Sequence, residues 1–218
     1  MHSVSAVNAA SKGIYGPFSA TLPISAFSMR FGRDEEVYGE QEPAEYLYKV
    51  ISGAVRTYTI TEDGRRQIDA FHLAGDVFGF ETGKTHRFSA EAVSDCELAV
   101  VSRAAVERAA EQDGAAAREL WTLTARQLGR VCDHMLMLGR KGAAERVVSF
   151  LLEMAARDQS ATSLYLPMSR TDIADYLGLT IETVSRCFSK LGRARAIELN
   201  GARDVKLRNL AALEAMAA

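Results

Sequence analysis

The sequence predicts an α+β chain, strand-rich in its first half and helical in its second. Three observations predict it. Short β-rich runs punctuated by turn residues recur up to Ser102. Apolar residues then repeat at helical spacing from Arg103 onward. Finally, two short helical patterns meet at Gly178, and a hairpin pattern follows them. The 218 residues suffice for one large or two modest domains. A hydrophobic content of 48% and a charged content of 25% are those of an ordinary globular chain.

Residues 1–25 are rich in Ser, Ala and Gly, with Pro17 and Pro23, and read as a loosely draped arm. The strand region spans 26–112. Tyr46 to Val50 alternates, and Ser52-Gly53 marks a turn. Val55 to Ile60 and Arg65 to Phe71 flank the turn Glu62-Asp63-Gly64. Val77 to Phe80, Ser89 to Val93 and Cys96 to Val101 supply further strands. Regular short strands with frequent turns suit a barrel or a sandwich.

Ser102 is placed to cap a short helix through Ala109. After Asp113-Gly114 a long helix spans 113–140. In it Trp121, Leu128 and Met135 are spaced by seven, with Ala117, Thr124, Val131 and Leu138 as companions. That is about three heptads of seam, as in a two-stranded coiled coil. Packing on its own domain is the alternative, and Leu120, Leu123 and Leu136 lie off the seam for it. A helix apolar on two sides serves both, so a homodimer is expected.

Gly139 to Gly142 reads as a hinge, and 143–218 as a separate helical domain. Val147, Phe150, Leu151 and Met154 share one face of a helix over Ala143 to Arg157. Leu164 to Leu166 is a short strand. Ser169 stands as an N-cap with Asp172 three residues on, a variant of the capping box. In the next helix Ile181, Val184, Phe188 and Leu191 form the inner face, while Glu182, Ser185, Arg186 and Ser189 form the outer one. Ile197 to Leu199 and Val205 to Leu207 bracket Asn200-Gly201, a hairpin beside that helix.

The outer face carries the chemistry that reads bases. Arg bonds guanine O6 and N7, Glu accepts from cytosine N4, and Ser reaches base or phosphate. From Arg186 to Arg208 seven basic residues stand against two acids, although the whole chain carries a net charge of −2. Such a local excess suits double-stranded DNA. The pattern is that of a helix-turn-helix with a basic wing. Glu182, Ser185 and Arg186 are the expected base readers, with a capping or phosphate role as the alternative for Ser185. Ser169, Arg170, Thr180, Ser189 and Lys190 are expected on phosphate, the first three because helix N-termini favour anions.

Other classes are excluded on chemistry. No Gly-rich phosphate loop, nucleophile elbow or Cys/His metal spacing is present, so no catalytic or metal residues are expected. Cys96, Cys132 and Cys187 are too few and too scattered for a disulfide framework. There is neither an apolar run long enough to cross a membrane nor a signal-like N-terminus, and a cytoplasmic location is expected.

Four segments carry a family resemblance: Ser52 to Arg56, Asp63 to Ile68, Gly75 to Gly79, and Ala144 to Val147. With Glu182-Thr183-Val184-Ser185-Arg186, an E-x-x-S-R reading motif, they resemble the Crp/Fnr family of bacterial transcription regulators over residues 28 to 210. The resemblance implies an N-terminal β-roll like that of cyclic-nucleotide-binding domains, a long dimerisation helix and a C-terminal winged helix-turn-helix. It implies a homodimer on a palindromic TTGAT-type site, contacting RNA polymerase. On this resemblance Trp121, Thr124, Leu128, Val131, Met135 and Leu138 form the dimer interface.

The family's sensing devices match poorly. Residues 1–95 contain no cysteine, so an iron–sulfur cluster lacks ligands. The cyclic-nucleotide cassette is only partly matched: Glu81 is displaced by one and Phe88 separates Arg87 from Ser89. For Arg87 a structural ion pair is expected instead. His2, His72, His86 and His134 are scattered and read as packed or surface residues. What remains is similar to the FixK-like branch, which activates microaerobic or nitrogen-fixation genes with no cofactor. The alternative is a regulator gated by a cyclic nucleotide or another anion.

Cys187 follows Arg186 directly. It reads as an apolar filler or as a redox check, since Arg186, Lys190 and the helix N-terminal half favour thiolate. Core packing is the simpler reading for Cys96 and Cys132.

Overall fold

The structure is a computed structural model that describes residues 13–17, 24–157 and 162–217, and the backbone alone at 13–17. The chain divides into two compact units. One comprises residues 1–59 and 69–127, the other 60–68 and 128–218.

In the first unit the strands are β1 (Gly13–Pro17), β2 (Ser25–Phe31), β3 (Glu36–Tyr38), β4 (Tyr46–Ser52), β5 (Ala54–Ile60), β6 (Arg66–Leu73), β7 (Val77–Phe78), β8 (Ser89–Ala92) and β9 (Cys96–Ser102). The middle of the β5–β6 hairpin, residues 60–68, clusters with the second unit. One sheet runs β1-β2-β9-β4-β7 and the other β3-β8-β5-β6. The expected arm therefore contributes a strand, β1, paired antiparallel with β2. The rest of its first 23 residues lie outside the described ones.

Period-2 alternation places the core. Cys96, Leu98 and Val100 of β9 join Phe31, Tyr48, Val50, Val55 and Phe78 in one apolar cluster. The intervening Ala99 and Val101 enter a second cluster with Leu47, Val106 and Ala116. So β9 is buried on both faces, which its near-continuous apolar run requires. Gly53 cannot be replaced without displacement: its φ is +79° and a Cβ there would lie 2.3 Å from the Asp95 carbonyl.

Helix α1 (Arg103–Gln112) and the long α2 (Gly114–Arg140) follow. Ser102 holds the N-cap position of α1, but its side chain makes no capping bond. On α2, Leu120 and Leu123 pack against the second cluster, while Trp121, Leu128, Val131 and Met135 are exposed. Leu120 and Leu123 thus serve the packing on their own domain expected of them, whereas Leu136 is exposed. Cys132, read above as packed, is exposed too; on a surface helix only one stripe is covered. Cys96 is buried in the roll.

The rest of the second unit comprises α3 (Ala143–Arg157), β10 (Ser163–Tyr165), α4 (Arg170–Leu177), α5 (Ile181–Arg193), β11 (Ile197–Asn200), β12 (Asp204–Leu207) and α6 (Leu210–Ala217). A three-stranded sheet, β10-β12-β11, forms the wing. Val147, Phe150 and Leu151 of α3 are fully buried, with Ile173 and Leu177 of α4 and Val184 and Phe188 of α5. No helix among the described residues is long and apolar enough to cross a membrane.

Candidate nucleic-acid interface

Each of the two helices of the candidate site starts at an N-cap whose hydroxyl accepts from a backbone N–H. Ser169 caps α4 with a full capping box: its hydroxyl accepts from the Asp172 N–H at 3.1 Å, and its own N–H donates to the Asp172 carboxylate at 2.9 Å. The Ser169 hydroxyl also donates to that carboxylate at 2.8 Å. Helix α4 ends on Gly178, at φ +61° and ψ 40°, the left-handed conformation that turns the chain into α5. Thr180 caps α5, accepting from the Thr183 N–H at 3.2 Å.

Helix α5 then separates its faces. Val184, Phe188 and Leu191 are buried; Glu182, Ser185, Arg186, Ser189 and Lys190 are exposed. The three expected base readers therefore stand together on one open face, at i, i+3 and i+4. Ile181, expected on the inner face, is 41% exposed. As the first residue of α5 it sits where the chain has only begun to pack. The Glu182 carboxyl is held below its ordinary range, chiefly by its own backbone N–H, with help from Thr180 and Arg186.

The phosphate candidates are arranged less simply. Ser169 and Thr180 occupy helix N-termini, but their hydroxyls are engaged in caps. Ser189 donates its hydroxyl to the Ser185 carbonyl at 2.9 Å. Arg170 folds over the Phe188 ring, 3.3 Å from its centroid, and its Nη1 is buried without a partner. Burial lowers its pKa to about 10. Lys190 is exposed. In the wing, Lys206 is exposed, Arg208 pairs with Glu198, and Arg203 donates to the Tyr165 hydroxyl at 3.4 Å.

Cys187 sits half-buried at the edge of the reading face. The expectation of a favoured thiolate is corrected: burial pushes its thiol up, and Lys190 opposes this only in part.

Two arginines that base-reading chemistry did not single out shape the same unit. Arg66 donates to Asp172 at 2.6 Å and to Asp175 at 2.8 Å. Arg146 donates to three backbone carbonyls, those of Leu138, Lys141 and Leu177, at 2.8, 2.9 and 2.9 Å. Both lie within segments quoted above for the family resemblance, which was the available signal.

The roll of the first unit carries a half-open cavity of about 230 Å³. Tyr38, Phe78 and Phe80 line it, with Thr57, Asp69, His72, Glu81 and Arg87. Burial raises the Asp69 pKa, opposed by Thr57 and Arg87. Arg87 is itself exposed at the rim; its backbone N–H donates to Glu81 at 3.0 Å, and its charge acts on Asp69. His72 and His86 are buried: His86 stacks on Tyr38 at 3.6 Å and His72 on Phe78 at 4.6 Å. They are packed residues, as their scatter in the sequence suggested. His134 packs against Tyr176 at 4.0 Å, and His2 lies outside the described residues.

Comparison with known proteins matches both units. Residues 28–113 match the cyclic nucleotide-binding domain and residues 145–216 the Crp-like helix-turn-helix domain. The nitrogen fixation regulation protein FixK of Azorhizobium caulinodans is 49% identical over 188 residues, covering 84% of this chain and 76% of that protein. FixK of Rhizobium meliloti is 40% identical, over 92% of this chain and 91% of its own length. The solved structure of FixK2 from Bradyrhizobium japonicum superposes with a TM-score of 0.86 at 53% identity, covering 88% of this chain and 98% of that one. These relatives are regulators and not enzymes. A roll, a long helix with an exposed apolar stripe and a winged helix-turn-helix, matched along this length, place the chain in the Crp/Fnr family of transcription regulators.

Proposed function

We propose that this protein is a cytoplasmic, sequence-specific transcription activator. It acts as a homodimer on a palindromic TTGAT-type site and serves microaerobic or nitrogen-fixation gene control. The observation that carries the reading is the open face of α5, where Glu182, Ser185 and Arg186 stand together beside a basic wing. These residues read bases in the major groove. Ser169, Arg170, Thr180, Ser189 and Lys190 hold the backbone, Arg170 by exchanging the Phe188 ring for a phosphate. The second copy covers the exposed stripe Trp121, Leu128, Val131 and Met135, extended by Thr124 and Leu138. RNA polymerase is the further partner, met by exposed surfaces of the roll and the winged domain.

Binding proceeds without a small-molecule effector. The cavity in the roll supports this: two carboxylates, Asp69 and Glu81, face a single guanidinium, Arg87. A cyclic phosphate needs the opposite balance. The cavity's existence favours, as the second reading, a ligand-gated regulator.

Cys187 is the candidate for oxidative control. Its oxidation to sulfinate or sulfonate adds negative charge beside DNA phosphates and weakens binding.

The deciding experiment measures binding of purified protein to a TTGAT palindrome with no added ligand. Tight binding to that site, and weaker binding to a scrambled one, is expected. Binding that emerges only on addition of a nucleotide would overturn the effector-free reading in favour of the second. Equal affinity for both sites would overturn the base-reading assignment.

A further inference from the structure

We infer that Arg66 and Arg146 are positioning residues that clamp α4 at both ends and so fix the reading helix. The inference rests on the DNA-binding reading above. Both residues, and everything they hold, lie in the second unit.

The first grip, on the side chains of α4, is ionic. Arg66 Nη2 donates to Asp172 Oδ1 at 2.6 Å, and its Nε to Asp175 Oδ2 at 2.8 Å. The two carboxylates are one α-helical turn apart, so one planar guanidinium spans them. Asp172 is buried, and its other oxygen closes the capping box on Ser169. Arg66 is thereby connected through a single side chain to the N-cap expected on phosphate. Its attachment is to residues 60–68, a tight turn in which the Thr61 N–H donates to the Arg65 carbonyl at 2.8 Å.

The grip at the C-terminal end is made on backbone. Arg146 bonds the Leu177 carbonyl, the last of α4, at 2.9 Å. It bonds the Leu138 carbonyl, in the last turn of α2, at 2.8 Å, and the Lys141 carbonyl of the hinge at 2.9 Å. The final carbonyls of a helix have no partner within it. A cation there also complements the helix dipole. One guanidinium therefore joins the ends of two helices across the hinge, using all three of its nitrogens. A lysine ammonium, a point donor, lacks the fork that reaches three acceptors in different directions.

Together the two grips prevent α4 from rotating or sliding without loss of charge-assisted bonds. Helix α5 leaves α4 directly through the turn at Gly178, so its direction follows that of α4. The reading face is consequently set relative to the C-terminal part of α2. That matters because a symmetric site demands two reading helices at a set separation, about one DNA turn.

The test uses the full-length protein and the variants Arg66→Ala, Asp175→Ala, their double, Arg146→Lys and Arg146→Ala. Affinity for the palindrome, its salt slope, the sedimentation coefficient and hydrogen exchange of residues 170–177 are measured. Arg66→Ala, Asp175→Ala and Arg146→Lys should each weaken specific binding about tenfold. The double variant should be no worse than Arg66→Ala alone, because that change already removes the bond to Asp175. The salt slope and the dimer should be unchanged, since neither arginine touches DNA, and α4 amides should exchange faster. Arg146→Lys carries the test should Arg146→Ala fail to fold. Unchanged or tighter binding with unchanged exchange would overturn the inference, and so would additive losses in the double. If wild-type protein ignores the palindrome, the function reading fails; faster exchange in the variants would still establish the clamp.

Discussion

At the scale of single residues, exposure and partner chemistry separate the proposed base readers from the residues that support them. Glu182 and Arg186 are exposed on the outer face of α5, four positions apart. Replacing Arg186 or Glu182 by Ala should remove roughly 1–3 kcal/mol of discrimination at particular base pairs. Affinities for a set of single-base operator variants measure it; a uniform loss at every position would reassign the residue to phosphate. Cys187 follows a different rule. Its thiol is pushed up by burial, so at neutral pH little of it is thiolate, and only the thiolate attacks peroxide. Loss of DNA binding on peroxide treatment should therefore be slow at pH 7 and faster at pH 9, and Cys187→Ala should resist at both. Equal sensitivity of wild type and Cys187→Ala would remove Cys187 from the control.

At the scale of elements, the proposed duties of α2 and the wing are separable. The stripe on α2 leaves Trp121 77% and Leu128 63% exposed, an apolar surface that a solvated helix does not keep. Leu128→Glu should yield monomers by sedimentation and lower operator affinity about tenfold or more, because one reading helix then acts alone. The wing should behave otherwise. Lys206→Ala should weaken binding to all sequences alike and reduce the salt slope by about 1. A change confined to one base position would contradict a phosphate role. Caps illustrate what is legible at this scale. Ser169, Asp172 and Gly178 announced α4 by local chemistry, and the helix starts and stops there. Ser102 announced α1 in the same way and forms no side-chain cap. The strand β1 was hidden in a Gly-, Ser- and Pro-rich stretch, since its pairing with β2 is a long-range matter that composition does not carry.

At the scale of the molecule, each unit has its own core, and the roll carries a stability cost. Asp69 borders the cavity with its pKa raised, chiefly by burial. Below the ordinary Asp range, about pH 4, both folded and unfolded states are protonated and the group contributes nothing. As pH rises the unfolded state ionises first, so stability falls until the raised folded pKa is passed, and then levels off. Asp69→Asn should leave the melting temperature near that of wild type at pH 3.5 and raise it at pH 7, as followed by circular dichroism. A wild-type melting temperature no lower than the variant's at pH 7 would show that Asp69 is not held by burial.

The sequence by itself determined the strands from Tyr46 onward, the main helices, the polar outer face of α5, and the two apolar sides of α2. These follow from periodicities of 2 and 3.6 and from capping residues, all of which act within a few positions of the chain. It also carried the family, through motifs read in order. Only the tertiary structure decided which polar groups spend their bonding capacity internally. Arg170 lies on Phe188, Ser189 turns back to the Ser185 carbonyl, and Arg66 reaches carboxylates more than a hundred residues away in the chain. Arg146 collects carbonyls from three segments. A guanidinium has the same donors wherever it stands in a sequence; its role depends on which acceptors the fold brings within about 3 Å, and that distance is set by packing.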